Sequence, residues 1–340
     1  MASTTEAATP VVRRTVLTIV VIAIAMAALF VGSYTVAMDR PAPRRIPTAL
    51  TGEADRDPVL TARLDSQMRG ALEYQRYPSA GAARRAIEGQ RVYAALVLGP
   101  GRPRLLVAGA AGNSLAQQFR NAALAVDQAG RERLTVVDVK PLPDSDRMGL
   151  AAFYVMIAAT LLGFVTTLQL RGNAPRLRLR AWLGAIGLLS VGGGLVLAVT
   201  TGPLIGALPA PVPVLWVTLT AQIAIAALFG TLMEILIGRW AVVPTWLMFV
   251  AVGNAASGGA VATPLLPQPY AAVSAFHPNG GTVAVLHNAV YFPEASGQQP
   301  VLVLGGWIAG LLALVLLAGR FLHRAPGGAR SEAADDPPVA

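Results

Sequence analysis

Six long apolar runs divide the sequence, and they give the first prediction about its fold. Each run is close to the roughly 20 residues that an α-helix needs to cross the hydrocarbon core of a bilayer. The pattern therefore predicts an α-helical polytopic membrane protein with six transmembrane helices. The predicted spans cover residues 15–38, 149–170, 181–201, 214–237, 242–261 and 301–318.

The first run has a second interpretation, because Thr35, Val36 and Ala37 offer a small-x-small site at which a secretory signal could be cleaved. The run is longer than the roughly 7 to 15 apolar residues of an ordinary signal core. We therefore interpret it as an uncleaved anchor.

Arginines between the runs predict the side of the membrane on which each loop lies. The loop after the second run contains Arg171, Arg176, Arg178 and Arg180 and no acidic residue. Short loops rich in arginine stay in the cytoplasm. This places both termini, residues 1–14 and 323–340, in the cytoplasm of a plasma-membrane protein, the second as a disordered tail. The same arginines could also dock a cytoplasmic partner.

Residues 39–147 differ in character from the rest of the chain. They carry 17 Lys and Arg and 12 Asp and Glu, so 29 of the 45 charged residues fall in this part. Long translocated domains are exempt from the positive-inside rule, and we expect an inserted extracytoplasmic α+β domain. Its pattern predicts helices over 59–72, 80–88 and 113–128, an extended piece over 73–77, a hairpin of strands 91–98 and 104–108, and a strand over 134–139.

Composition excludes several classes of function. Of the 340 residues, 54% are hydrophobic and 13% are charged, which is far from a soluble domain. The net charge of +9 is spread through the hydrophobic chain without the basic clusters of nucleic-acid binding. Cysteine is absent, and there is neither a phosphate-binding loop ending in Gly-Lys-Ser/Thr nor a Gly-x-Ser-x-Gly elbow. We expect no enzymatic activity and no cofactor.

Glu234 is the one acidic residue inside a predicted span. An ionisable group there is a functional hypothesis by default, for example a proton-coupling carboxylate. Its position near the inner end of its helix also allows a structural role, in which it reaches the interface and pairs with Arg239. The structural interpretation is the better one.

Residues 263–299 form a proline- and glycine-rich outer segment, and its apolar part predicts a stretch that dips into the membrane or lies on it. His277 and His287, with Asn279 and Asn288, could be imagined as a metal site. Two histidines ten residues apart without a carboxylate are a poor ligand set. We interpret these residues as polar groups at the water interface.

Several short strings resemble the type-2 ABC exporter permease superfamily, in particular its YhgE/Pip-like branch. They are Pro141-Leu-Pro-x-x-Asp146-x-x-Gly149 with Phe153-Tyr154, Gly253-Asn254-x-x-Ser-Gly-Gly259, Leu266-Pro267, Pro278-Asn-Gly-Gly281, and Leu286-His-Asn-Ala-Val-Tyr291-Phe292. The layout of one span, a large outer insert and five further spans is similar too. At position 287, members of this family commonly have Arg where this chain has His287. The resemblance implies a homodimer that exports a compound or remodels the envelope with a separate ABC-type ATPase. It directs attention to Asn254, Asn279, His287, Asn288 and Tyr291.

Three functional hypotheses follow from the sequence. The first is a permease-like subunit that exports an amphipathic or envelope-directed compound. The second is a membrane-anchored protein without transport activity, whose extracytoplasmic domain binds an envelope polymer or a partner. The third is a proton-coupled transporter that uses Glu234.

Overall fold

The computed structural model describes residues 10–38, 44–52, 57–99, 101–129, 134–295 and 297–322. Within them, five apolar helical stretches are long enough to cross a membrane. The predicted disordered tail and most of the predicted N-terminal segment lie outside the described residues. The long helices are α1 (Pro10–Met38), α5 (Ala151–Asn173), α6 (Leu179–Val199), α7 (Val212–Ile237) and α11 (Gln299–Leu322).

The fourth and fifth predicted spans form one apolar helical stretch, Val212–Gly253, that reverses at Gly238. Gly238 has φ +61°, a left-handed conformation that glycine adopts without strain. In a straight helix Phe229 and Phe249 would lie about 30 Å apart. Their ring centroids are 5.5 Å apart, so the chain after Gly238 runs back along α7.

The helix predicted over 242–261 ends early, which corrects the fifth span. Its α-helical part is α8 (Val242–Trp246), and a π-helix covers Leu247–Gly253. A π-helix bonds residue i to i+5, and the N–H of Asn254 accordingly donates to Phe249 O at 3.0 Å. After Gly253 the chain turns, with Gly258 at φ +76°.

The described residues between 263 and 299 contain two helices, α9 (Gln268–Phe276) and α10 (Pro278–Tyr291), which we call the α9–α10 segment. Only His277 separates them, because its extended backbone (φ −84°, ψ 139°) is the conformation that a residue before proline prefers. Helix α10 packs against α5, α7 and α11. It is therefore an internal element of the helical part.

The described residues between 46 and 138 form a five-stranded mixed sheet and three α-helices, which we call the α/β unit. The strand order is β2-β1-β3-β4-β5, parallel except for the antiparallel β3–β4 hairpin. Helices α2 and α4 pack on one face of the sheet and α3 on the other. The elements are β1 (Ile46–Thr51), α2 (Pro58–Gln67), β2 (Leu72–Tyr77), α3 (Ala80–Glu88), β3 (Ala94–Val97), β4 (Arg104–Val107), α4 (Asn113–Ala129) and β5 (Thr135–Asp138).

Two differences from the sequence prediction stand out in the α/β unit. Strand β1, which lies between β2 and β3 in the sheet, was not predicted. Helix α2 ends at Gln67 rather than at residue 72, because Arg69 and Gly70 adopt φ +59° and +69°, which no α-helix contains. The chain thus turns directly into β2.

The α/β unit holds both ends of the α9–α10 segment. Ala262 and Leu265, just before α9, are buried in the apolar core between the sheet and helices α2 and α4. Tyr291 and Phe292, at the end of α10, are buried in the core on the opposite face, beside α3. The two parts of the molecule therefore share their apolar cores.

Candidate functional site

A cluster of uncharged polar side chains lies buried among the apolar helices. It consists of Thr160 on α5, Gln222 on α7, Asn254 after the π-helix, and Asn279 and Thr282 on α10, and we call it the central polar cluster. All five are at most 4% exposed. Thr160 and Gln222 lie near the middle of their helices, about 14 and 15 Å from the helix starts at 1.5 Å per residue.

Gln222 is the hub of the cluster. Its Nε2 donates to Thr160 Oγ1 at 2.8 Å and to Asn279 Oδ1 at 2.9 Å. Its Oε1 accepts from Thr282 Oγ1 at 2.7 Å. A buried amide costs free energy unless it is hydrogen-bonded, and these three bonds use the two N–H groups and one acceptor site.

Asn279 joins the cluster to the π-helix. Its Nδ2 donates to Asn254 Oδ1 at 2.9 Å and to Phe249 O at 3.1 Å. His277 adds a second link, because its Nδ1 accepts from the Asn279 N–H at 3.1 Å while Nε2 lies 3.1 Å from Met248 O. Since Nδ1 accepts, we assign the ring proton to Nε2, which donates to Met248.

The placement of His277 and Asn279 corrects the interpretation of these residues as interfacial. His277 is 4% exposed and Asn279 is 0% exposed. They lie inside the helical part, where His277 also packs edge-on against Phe249. Both side chains form hydrogen bonds with the π-helix.

The second half of helix α1 contacts the π-helix that borders the central polar cluster. Ser33 Oγ donates to Ala251 O in the π-helix at 2.6 Å and lies 3.0 Å from the Tyr270 hydroxyl of α9. Most of the other side chains of α1 are exposed on the described surface. Three separate elements, α1, α8 with its π-helix, and α9–α10, are thus joined by polar contacts.

A cavity of about 600 Å³ lies between the α/β unit and the helical part. Residues 109–114 of the α/β unit, which lead from β4 into the start of α4, line one side, and residues of the turn 257–263 and of α10 line the other. It reaches Gly280 and Gly281, next to the central polar cluster. This volume is within the range of about 300–1,000 Å³ typical of small-molecule sites.

His287 and Asn288 line the cavity together with Tyr93. Burial lowers the pKa of His287, so the imidazole is neutral at pH 7. Burial raises the pKa of Tyr93, so the phenol keeps its proton. The titratable groups that face the cavity therefore carry no charge under ordinary conditions.

Asp146, which belongs to the string Pro141–Gly149 noted in the sequence, has a structural role at the start of α5. Its carboxylate accepts the N–H groups of Leu150 and Ala151 at 2.9 and 3.1 Å and so caps the start of α5. Tyr291 lies close, with its hydroxyl 3.5 Å from Asp146 Oδ2. Burial and the nearby carboxylate both raise the pKa of Tyr291. The two residues tie the end of α10 to the start of α5.

Glu234 lies at the opposite end of the helical part. Its carboxylate forms an ion pair with Arg171, in the last turn of α5. The partner expected from the sequence was Arg239, whose guanidinium instead lies 5.2 Å from the Trp240 ring centroid. The pairing with Arg171 favours the structural interpretation of Glu234, since a charge that is buried needs a partner.

The other arginines of the loop remain exposed. Arg176, Arg178 and Arg180 lie between α5 and α6 and at the start of α6. Within the described part of the chain, no group of three or more His, Cys, Asp or Glu residues could hold a metal ion.

Gln222, Thr160 and Thr282 were not identified from the sequence. A signal was present, since Gln222 is the only amide within the long apolar run of α7. Its bonding partners lie 57 to 62 residues away along the chain, which no local pattern reveals. Comparison with models of protein families, with curated proteins and with solved structures found no match.

Proposed function

We propose that the chain is a six-span protein of the plasma membrane, with the α/β unit outside the cell and both termini in the cytoplasm. The reversal at Gly238 supports six crossings, because the chain turns back there and reaches the α/β unit again at Ala262. The arginines at 171–180 and at 239 then face the cytoplasm, as short basic loops do. The opposite ends of the same helices meet the α/β unit.

Thiol labelling tests this orientation, and the chain has no native cysteine. Ser66→Cys on α2 and Asn173→Cys at the end of α5 both occupy exposed positions. On intact cells a membrane-impermeant maleimide is expected to label Ser66→Cys, and Asn173→Cys only after permeabilisation. The unsubstituted protein is the blank. Labelling of Asn173→Cys but not of Ser66→Cys on intact cells would invert the proposed topology.

We further propose that the protein is a permease-like subunit that exports an amphipathic or envelope-directed compound. One observation carries the proposal: the break between α9 and α10 lies at a buried polar cluster, and Gly280 and Gly281, between two members of that cluster, line the cavity. Broken helices at membrane depth are tolerated where they are buried in protein or line a cavity, and transporters build substrate sites from them. The resemblance to exporter permeases points to the same function.

The proposal includes a separate ABC-type ATPase and a second copy of the chain, as the resemblance implies. The ATPase would dock on the cytoplasmic loop that presents Arg176, Arg178 and Arg180. Since Arg171 already pairs with Glu234, it contributes to the shape of this loop rather than to a free basic surface.

The shared cores of the two parts favour a permease over an anchored binding module. A tethered module needs few contacts with its anchor. Here Tyr291 and Phe292 from α10 are buried beneath the sheet, and Ala262 and Leu265 are buried on its other face. Such packing transmits a displacement of the α/β unit to the α9–α10 segment.

Efflux of Nile red, an uncharged amphipathic dye, tests export. Cells that produce the protein are expected to clear the dye faster than cells lacking it. Ala260→Trp, which fills the cavity, is expected to abolish this difference, whereas Ser66→Trp on the outer surface of α2 preserves it at equal membrane abundance. Equal efflux with and without the protein, together with unchanged envelope lipids, would count against export.

A further inference from the structure

The lining of the cavity is uncharged despite its surroundings. Residues 39–147 carry 29 of the 45 charged residues of the chain, and they supply about a third of the residues that line the cavity. Among the described residues that line the cavity, none is Asp, Glu, Lys or Arg. The wall consists of small and apolar residues with scattered amides and hydroxyls.

Two acidic groups lie just behind the lining, and both already have partners. Asp138 accepts the Gly109 N–H at 3.1 Å and pairs with Arg120 at 2.6 Å. Asp138 therefore holds the backbone at Gly109 in place, and its charge is compensated by Arg120. On the opposite wall, Asp146 is occupied as the cap of α5.

Three lining side chains have hydrogen-bonding capacity to spare. Asn113, His287 and Asn288 line the cavity, and within the described residues their side chains form no hydrogen bond with the protein. His287 is held only by ring contacts with Tyr291 and Phe292, at 5.0 and 6.0 Å between centroids. Two amides and a neutral imidazole can each donate and accept, which suits hydroxyl groups.

An ion would be unfavourable in this wall. A charge moved from water into a partly apolar cavity loses its hydration and needs an opposite charge to compensate. A hydroxyl-bearing group needs only matched donors and acceptors, while Val92, Leu142 and Val283 provide an apolar surface for a hydrocarbon portion.

We propose that the cavity binds an uncharged, hydroxyl-rich amphiphile through Asn113, His287 and Asn288, with its hydrocarbon part against the apolar wall. This inference deepens the proposed function and rests on it for the statement that the bound compound is exported. The binding itself is independent of transport.

Protection of a single introduced cysteine tests the binding. Ala111→Cys places a thiol in the cavity wall, and Ser66→Cys places one on the outer surface. The full chain in lipid nanodiscs is labelled with a maleimide in the presence of n-octyl-β-D-glucoside, sodium octyl sulfate or octyltrimethylammonium chloride, each below its micellar concentration. At ten times its Kd the glucoside is expected to slow labelling at position 111 about tenfold, with no effect at position 66.

The three probes share one chain length, so the head group alone decides the result. Equal protection by all three, protection by an ionic probe only, or no protection would each overturn the proposal.

Asn288→Asp provides a second measurement, because a carboxylate in the wall is expected to weaken protection by the glucoside and to introduce protection by octyltrimethylammonium. If Nile red efflux persists while the glucoside fails to protect, the ligand class is wrong and the export proposal stands. If the glucoside protects position 111 but the protein gives no Nile red efflux, the ligand class is right and the export proposal is wrong.

Discussion

Gly194→Ala is expected to destabilise the protein strongly, whereas Gly192→Ala, two residues earlier in the same helix, leaves its stability unchanged or slightly higher. A Cβ atom at Gly194 would overlap Thr220 Oγ1 and lie 2.8 Å from the Thr220 backbone N and 3.0 Å from its Cα. Because backbone atoms cannot move aside, α6 and α7 must separate. Overpacking of this kind costs about 1–3 kcal/mol.

Gly192 is a matched control. A Cβ atom there meets nothing within 4 Å in the described structure. Alanine also favours the helix over glycine by about 1 kcal/mol, so any change in the stability of Gly192→Ala is expected to be a small increase. Thermal unfolding of the two variants in the same nanodiscs measures the difference. Equal melting temperatures would show that α6 and α7 do not pack as closely as described.

Asn279→Ala is expected to lower both stability and Nile red efflux. The substitution removes one bond from Gln222 and the two bonds to Asn254 and Phe249. Interhelical hydrogen bonds within membranes contribute about 0.6 kcal/mol each, and unsatisfied buried partners add about 1–3 kcal/mol. The expected loss is therefore about 3–5 kcal/mol.

Asn288→Ala is the control for the loss of stability alone, because it lies on the same helix and its side chain bonds to no described residue, whereas its place in the cavity wall makes it unsuitable as a control for efflux. Its stability is expected to equal that of the unsubstituted protein. A double-mutant cycle with Gln222→Ala isolates the contact, and the combined loss should be smaller than the sum of the single losses. A strictly additive result would mean that Asn279 and Gln222 act independently.

The sequence predicted the elements better than their contacts. Long apolar runs and the short β3–β4 hairpin are local features, so their positions could be predicted from composition and turn residues. Strand β1 escaped prediction because Ile46–Thr51 contains Pro47 and two threonines instead of an apolar run. It pairs with β2 and β3 on either side, and its side chains are buried by helices on both faces of the sheet, which is information held elsewhere in the chain.

The candidate site was predictable only in part. Asn254 and Asn279 drew attention through the strings in which they occur, but an interfacial location was expected for Asn279. Their burial depends on how α9 and α10 pack between the long helices. The ion pair of Glu234 shows the same limit, since Arg239 is nearer in sequence while Arg171 is nearer in space.

The shared cores also set the order in which the molecule can be assembled. Residues 44–138 leave the ribosome long before residues 262–292, yet Ala262, Leu265, Tyr291 and Phe292 fill gaps on both faces of the sheet. Until that later stretch has been synthesised and inserted, the sheet keeps apolar surface open on each side. Newly made chains are therefore expected to pass through a partly folded stage that is prone to aggregation. Folding is complete once residues 262–292 have packed against both faces of the sheet.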